Sequence, residues 1–224
     1  MAEHSPSHPL EQFVQPERIQ RMNQVLMGRS GNIVLVLDHI HNPHNLSAAI
    51  RSADAFGIQT VIFCGPPPQL ASGITVGVER WIDLVSFPTA DETLQWLHQH
   101  GYATCILEPP SKHANQQPIP VQDLPFDEPL ALIFGNEVAG PSDAFVRAAH
   151  HRAYIPMFGF VESLNISVAV AITLFCSTLE RPRGARRTQT LTEEAMAAVR
   201  DRWLRGEVRG ADLILQRLTE RSEP

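Results

Sequence analysis

The sequence predicts an α/β fold, a mostly parallel sheet with helices on both faces, and three observations lead to it. Strand-like and helix-like segments alternate along the chain, as they do in βαβ units. The first strand-like segment, residues 33–37, is apolar at every position, which is typical of a strand buried on both faces of a parallel sheet. Of the 224 residues, 43% are hydrophobic and 19% are charged, so the chain has enough apolar material for a core.

Local patterns place the elements in order. A helix is predicted over residues 16–27, because Pro16 suits a first turn and Ile19, Met22, Val25 and Leu26 form one apolar stripe. Further strands are predicted over residues 60–64, 84–87, 102–107, 130–134 and 153–156. Further helices are predicted over residues 45–56, 90–100, 142–150 and 165–179. Residues 1–14 are expected to be mobile, and 181–190 to form a polar linker before two amphipathic helices over 192–205 and 211–221. These patterns divide the chain into an N-terminal tail and helix (1–30), an α/β domain (31–180) and an Arg-rich helical extension (181–224).

Several classes of protein are disfavoured by composition. No apolar stretch reaches the roughly 18 residues that span a membrane. The first residues lack the basic start and apolar core of a secretory signal. The three cysteines, Cys64, Cys105 and Cys176, have no paired spacing and are expected to be buried thiols. We therefore expect a cytoplasmic protein.

Charge is distributed unevenly along a chain whose net charge is −6. Residues 31–180 carry 14 acidic and 5 basic side chains, whereas residues 181–224 carry 10 arginines and 7 acidic side chains. Arginine forms bidentate contacts with phosphate. Any contact with a polyanion is therefore expected to concentrate in the C-terminal extension.

A first candidate segment, residues 38–45 (DHIHNPHN), follows the first strand and opens a helix. Ligands of open α/β sheets bind at such strand ends. Asn45 is interpreted either as a helix N-cap or as a site residue. Arg51 lies almost two turns later in an apolar helix, where it needs either an ion pair, for example with Asp54, or a functional cavity. The three histidines of this region do not have the spacing of a metal site, so no metal is expected.

Two further segments follow later strands. In residues 134–140, Gly135 and Gly140 bracket Glu137, an arrangement that suits close approach to a ligand but also an ordinary turn with a solvated acid. Residues 155–169 place Ser163 and Asn165 at the start of an apolar helix, where either side chain is a candidate N-cap.

Taken together, these segments resemble the SpoU–TrmH family of RNA ribose 2′-O-methyltransferases in the knotted SPOUT superfamily. Asn45 with Arg51 matches the first motif of that family, and Gly135-x-Glu137-x-x-Gly140 matches the second. The third motif is matched by residues 155–157 (IPM) and 163–165 (SLN). The resemblance covers residues 16–180, and the flanking helices are similar to those of the subgroup that methylates a tRNA D-loop guanosine.

This resemblance implies a deep C-terminal trefoil knot in residues 31–180, with helical extensions at both ends. It implies S-adenosylmethionine as cofactor and a homodimer whose sites are shared between protomers. The residues implied to bind the cofactor are Leu107, Gly135, Gly140, Ile155, Met157 and Leu164. Those implied to act in catalysis are Arg51, Asn45, Glu137, Ser163 and Asn165.

The expected reaction is 2′-O-methylation of a ribose in tRNA, with a D-loop guanosine as the target. RNA contacts are expected from His44, Arg80, Arg186 and Arg187. The alternatives are rRNA or another tRNA position, or a non-catalytic RNA-binding relative. A nicotinamide-dependent oxidoreductase is disfavoured because no GxGxxG follows the first strand. Whether Arg51 is the general base or stabilises developing charge, and whether it acts within or across protomers, stays open.

Overall fold

The computed structural model describes residues 8–68, 77–109, 118–179 and 188–222. The chain forms two compact units. One, termed the α/β unit, is Ser30–Thr190. The other, termed the helical unit, comprises both ends of the chain, Met1–Arg29 and Leu191–Pro224.

The α/β unit is built on one seven-stranded sheet. In chain order its strands are β1 (Ser30–Asp38), β2 (Ile58–Cys64), β3 (Asp83–Phe87), β4 (Ala103–Leu107), β5 (Ile119–Pro120), β6 (Leu130–Phe134) and β7 (His151–Tyr154). Their spatial order is β3-β2-β1-β6-β4-β7-β5, and all adjacent strands pair in parallel. This confirms the predicted parallel sheet. The two-residue β5 lies in a Pro-rich segment predicted as loop, because two residues make no detectable apolar run.

Helices cover both faces of this sheet, as predicted. In chain order the helices are α1 (Pro16–Leu26), α2 (Pro43–Ala55), α3 (Ala90–Gln99), α4 (Asp143–Ala148), α5 (Ile166–Thr178), α6 (Glu193–Glu207) and α7 (Ala211–Ser222). One core cluster joins one face of the sheet to α2 and α5, and a second joins the other face to α3 and α4.

The central strand β1 shows how the sequence determines this arrangement. Ile33, Leu35 and Leu37 enter the first core cluster, while Val34 and Val36 enter the second. Alternate residues of a strand point to opposite faces, so an unbroken apolar run is needed when both faces are covered. Full burial of each such side chain is worth about 1.5–3 kcal/mol relative to exposure.

In the helical unit, a 3₁₀ turn at Pro9–Phe13 precedes α1, and α6 and α7 complete the unit. The expectation that residues up to 14 are mobile is wrong for the described part of this segment, because Leu10 is fully buried. Trp203 is also buried, and the Arg29 guanidinium carbon lies 5.5 Å from its ring centroid. No helix in the described ranges combines the length and apolar character needed to cross a bilayer.

Candidate functional site

Four adjacent strands bring the three candidate segments to one edge of the sheet. The loops after β1, β6, β4 and β7 all leave from the carboxyl ends of these neighbouring strands. The register places Leu107 of β4 beside Phe134 of β6 and Ala153 of β7. This is the edge at which open α/β sheets bind ligands.

The start of α2 frees Asn45 for a role in the site. Asn42 is the N-cap, since its Oδ1 accepts hydrogen bonds from the backbone N–H groups of His44 (2.9 Å) and Asn45 (3.4 Å). The interpretation of Asn45 as the cap is therefore wrong. The Asn42-Pro43 pair was the available signal, because a cap residue followed by proline in the first turn is a standard helix start.

A chain of hydrogen bonds joins one residue from each candidate segment. Asn45 Nδ2 donates to Glu137 Oε1 at 2.7 Å, and Asn165 Nδ2 donates to Asn45 Oδ1 at 3.1 Å. These residues are 92 and 120 positions apart in sequence. The amide of Asn45 is thereby fixed in orientation between a carboxylate and a second amide, so three of the five residues expected to act in catalysis meet here.

Asn165 fulfils both roles considered from the sequence. As the N-cap of α5 its Oδ1 accepts from the Ser167 backbone N–H at 2.9 Å, and it also contacts Ser167 Oγ at 2.6 Å. Its amide nitrogen remains available for Asn45. Ser163, the other candidate cap, is exposed two residues before it.

The loop that carries Glu137 is closed by its own backbone. Asn136 and Gly140 exchange two backbone hydrogen bonds, of 3.1 and 2.8 Å, and Asn136 Oδ1 accepts from the backbone of Val138 and Ala139. A Cβ on Gly135 would lie 2.0 Å from the nitrogen of Pro141, so this position requires glycine. Sequence reasoning found the glycines but missed Asn136, whose role depends on a contact within the folded loop.

Arg51 lies on α2, two turns after Asn45, with its side chain exposed. Within the described residues it forms no hydrogen bond or ion pair, so the ion pair with Asp54 considered from the sequence is not formed there. The helix that carries Asn45 thus also carries an exposed guanidinium without a partner among the described residues.

Most residues expected to bind the cofactor line the same edge. Leu107 and Ile155 are half-buried and pack against the core below, and Met157 and Leu164 are also half-buried. Gly140 has a left-handed backbone, with φ of 72°. Strand β7 ends at Tyr154, so Ile155 and Met157 belong to the loop that follows it, rather than to a strand reaching residue 156.

Residues expected to contact RNA are more scattered. His44 is exposed in the first turn of α2, close to Asn45 in sequence. Arg80 is exposed before the edge strand β3, with its guanidinium carbon 5.7 Å from the Trp81 ring centroid. Arg186 and Arg187 lie outside the described residues.

Ordered polar groups and half-buried apolar side chains at the carboxyl edge of a parallel sheet are the arrangement with which α/β proteins bind ligands. The chain belongs to the SpoU rRNA methylase family, which matches residues 32–175.

Relatives and solved structures extend this likeness over most of the chain. A tRNA (guanosine(18)-2′-O)-methyltransferase of Borreliella burgdorferi is 30% identical over 207 residues, covering 92% of each chain. The crystal structure of the A. aeolicus TrmH/SpoU tRNA modifying enzyme superposes with a TM-score of 0.74 at 26% identity, covering 89% of this chain and 98% of that one. The structure of the SpoU methyltransferase AviRb from Streptomyces viridochromogenes with the cofactor AdoMet gives a TM-score of 0.57 at 25% identity, covering 68% and 62%.

Proposed function

We infer that this chain is an S-adenosylmethionine-dependent RNA 2′-O-ribose methyltransferase, and that its substrate is a guanosine in the D-loop of tRNA. The observation that carries this is the Asn45–Glu137–Asn165 network, two helical turns from an uncommitted Arg51. The relative from Borreliella burgdorferi, similar over 92% of both chains, supports the choice of tRNA and of guanosine.

The loops at the carboxyl edge suit an adenosyl ligand. They offer half-buried apolar side chains, Leu107, Ile155, Met157 and Leu164, together with backbone around the glycines of residues 135–140. Apolar walls with a few polar backbone groups are typical of cofactor sites. We assign these residues to S-adenosylmethionine, which supplies a methyl group already activated by a sulfonium.

What remains for the protein is to place and activate the ribose hydroxyl. Arg51 would bind a neighbouring phosphate and stabilise the alkoxide as the 2′-oxygen loses its proton. A guanidinium stays protonated in proteins, so this role fits better than that of general base. Asn45, held by Glu137 and Asn165, would orient the ribose or Arg51, and the exposed Ser163 would complete the polar wall. Near-attack geometry alone contributes a large part of such rate enhancements.

We assign this chemistry to residues 31–180, flanked by the segments 1–30 and 181–224, and propose that they contain a C-terminal trefoil knot. Two features support a threaded chain. The late strand β7 lies between the earlier β4 and β5, and α5 returns to pack against α2, which follows the first strand.

We also propose a homodimer whose sites are shared between protomers. The α/β unit exposes large apolar side chains on α5 and on the loop before it, namely Phe158, Phe160, Val161, Val168 and Phe175. Phe158 and Phe160 are essentially fully exposed, at 99% and 105%. Apolar surface of this extent marks an interface, and light scattering at working concentration should give twice the monomer mass.

Contacts with tRNA are assigned to His44, Arg80, Arg186 and Arg187, and a tRNA substrate would place the enzyme in the cytoplasm. The test is methylation of total tRNA and of rRNA with labelled cofactor, followed by mapping of the modified ribose. Label at a D-loop guanosine supports the proposal. Label in rRNA or at another tRNA position would mean that the enzyme methylates a different RNA or nucleotide. Absence of label would favour a non-catalytic RNA-binding protein.

A further inference from the structure

A buried carboxylate lies behind the loop that carries Glu137. Asp38 is the last residue of β1 and is 1% exposed. Its Oδ1 lies 2.7 Å from His39 Nδ1, and its Oδ2 accepts the backbone N–H of Ser142 at 2.6 Å. A buried carboxylate is stable only when its oxygens are hydrogen-bonded, and here the donors come from different segments of the chain.

The Cys64 thiol is a third group beside this carboxylate. Asp38 and Cys64 are register partners at the ends of β1 and β2. Burial raises the pKa of the Cys64 thiol to about 12, and the adjacent Asp38 carboxylate adds to the rise, whereas a hydrogen bond with Thr93 opposes it. The thiol therefore stays protonated.

Asp38, His39 and Cys64 have ligand atoms within 4.8 Å of one another, a grouping that could hold a metal ion. A metal would need the thiolate of Cys64, which burial keeps protonated. The hydrogen bonds of Asp38 with His39 and Ser142 account for the grouping of these side chains without a cation.

His39 transmits this anchoring to the loop. It is the one non-glycine residue with positive φ in the described part of the chain, at 53°. Such a conformation persists when its surroundings enforce it. Its carbonyl accepts a hydrogen bond from Asn136 Nδ2 at 3.0 Å, and Asn136 Oδ1 in turn holds the N–H groups of Val138 and Ala139.

Both ends of the segment 135–142 are thus tied to the end of β1. One tie runs from Asp38 directly to Ser142, and the other runs through His39 to Asn136. Glu137 lies between the two ties, 2.7 Å from Asn45 Nδ2.

We propose that Asp38 is a positioning residue that holds the 135–142 loop so that Glu137 meets Asn45. The catalytic meaning of this contact rests on the function proposed above, whereas the anchoring of the loop does not. The hydrogen bonds described for Asp38 join it to His39 and Ser142, and none of them joins it to Arg51 or to the loops after β4 and β7.

The first test is hydrogen–deuterium exchange of the full-length protein, which needs no activity. Asp38→Asn should speed amide exchange across residues 135–142 by about tenfold or more, since an amide has one acceptor oxygen where the carboxylate has two and cannot accept from both Ser142 N–H and a donating His39 ring. Strands β1 and β6 should keep their protection. Asp143→Asn is the matched control, because Asp143 is exposed beside the same loop. Unchanged exchange across residues 135–142 in Asp38→Asn would overturn the proposal.

A second variant covers the case in which Asp38→Asn destabilises the whole unit. Ser142 has φ of −57°, close to the value of about −65° that proline adopts. Ser142→Pro therefore removes the N–H donor and leaves the carboxylate charge in place. Ser142→Pro should therefore speed amide exchange in residues 135–142 without affecting the rest of the sheet. If exchange in this loop stays as slow as in the wild type, the hydrogen bond from Ser142 to Asp38 does not hold the loop.

The catalytic half of the proposal is tested by a double-mutant cycle of Asp38→Asn with Glu137→Gln. If Asp38 acts through Glu137, each single variant lowers kcat on the order of tenfold to a hundredfold. The double variant should then fall little further. Fully additive losses would mean that Asp38 is only structural. A wild-type protein that methylates no RNA would refute the proposed function while leaving the exchange result to decide the anchoring.

Discussion

Several arginines of the helical unit differ from Arg51 of the α/β unit in having acidic partners. In the helical unit, Arg18 binds Glu207 through two contacts of 3.2 and 2.9 Å, Arg200 pairs with Glu11, and Arg205 pairs with Asp201 and Asp212. Although partial burial opposes it, hydrogen bonds from Arg205 and His8 lower the pKa of Asp201.

In the α/β unit, the cation nearest the polar network in sequence, Arg51, has no such partner among the described residues. An arginine that is already paired with an acidic side chain of its own unit is expected to contribute to the stability of the fold. An exposed cation without such a partner is available to a ligand. The difference indicates that an arginine should be expected to bind a ligand when it lacks an acidic partner, and that the number of arginines is a poorer guide.

The largest expected effect comes from removing the uncommitted cation. Arg51→Ala should lower methyl transfer by about 10²–10³, the loss seen when one group that stabilises developing negative charge is removed. Arg51→Lys should restore only part of it, because an ammonium lacks the bidentate fork. Single-turnover rates and S-adenosylmethionine binding are the measurements, and cofactor affinity should not change.

Arg147→Ala is the control for this variant, since Arg147 is also exposed on a helix of the α/β unit. Near-normal turnover in Arg51→Ala, or an equal loss in Arg147→Ala, would remove the distinction between the two kinds of charge.

The comparison also shows what the sequence could predict. The sheet could be predicted because residues 33–37 of β1 and all of β6 are unbroken apolar runs, and α5 because nine of its 13 residues are apolar. Glu137 and Asn165 were found because glycines and a capping residue signal a special backbone.

Tertiary contacts account for what the sequence missed. The link between Asn45, Glu137 and Asn165 spans 92 and 120 positions, and no local rule encodes it. The buried Leu10, the anchoring by Asp38 and the loop-closing role of Asn136 depend in the same way on partners that only the folded chain supplies.

A second substitution separates the capping role of Asn165 from its role in the site. Asn165→Ser keeps a good N-cap for α5 but loses the amide nitrogen that donates to Asn45. Turnover should fall about tenfold, as expected when one hydrogen bond of about 1.4 kcal/mol is removed from the transition state. The free energy of unfolding should change by less than about 0.5 kcal/mol.

Asn165→Ala should show the same loss of turnover and, in addition, a loss of about 1 kcal/mol of stability, because the cap is removed as well. Asn42→Ala, which removes the cap of α2, provides the matched case of a cap without an observed contact to Glu137 or Asn165. If Asn165→Ser turned over as fast as the wild type, Asn165 would be a cap alone, and the network would be structural in the same sense as the ion pairs of the helical unit.

The smallest expected effects concern the arginines of the C-terminal extension. Because Arg200 and Arg205 are paired with acidic side chains, RNA binding is expected from other arginines of the extension. Residues 181–190 carry four arginines and no acidic residue, whereas residues 191–224 carry six arginines and seven acidic residues. The net positive charge of the extension therefore comes from residues 181–190.

Replacing Arg181, Arg183, Arg186 and Arg187 with glutamine should weaken tRNA binding and flatten its salt dependence by about 0.7–0.9 for each phosphate that the protein no longer neutralises. The unfolding midpoint should not move. The matched variant, Arg200→Gln with Arg205→Gln, removes guanidinium groups already engaged with Glu11, Asp201 and Asp212. It should lower the unfolding midpoint and leave the salt slope of tRNA binding unchanged.

Binding measured at several salt concentrations decides between the two sets. The opposite result would be a flatter slope after the paired arginines are replaced and no change after the other four are replaced. It would show that ion pairs within the helical unit open to bind RNA. The presence of an acidic partner would then not distinguish structural from RNA-binding arginines.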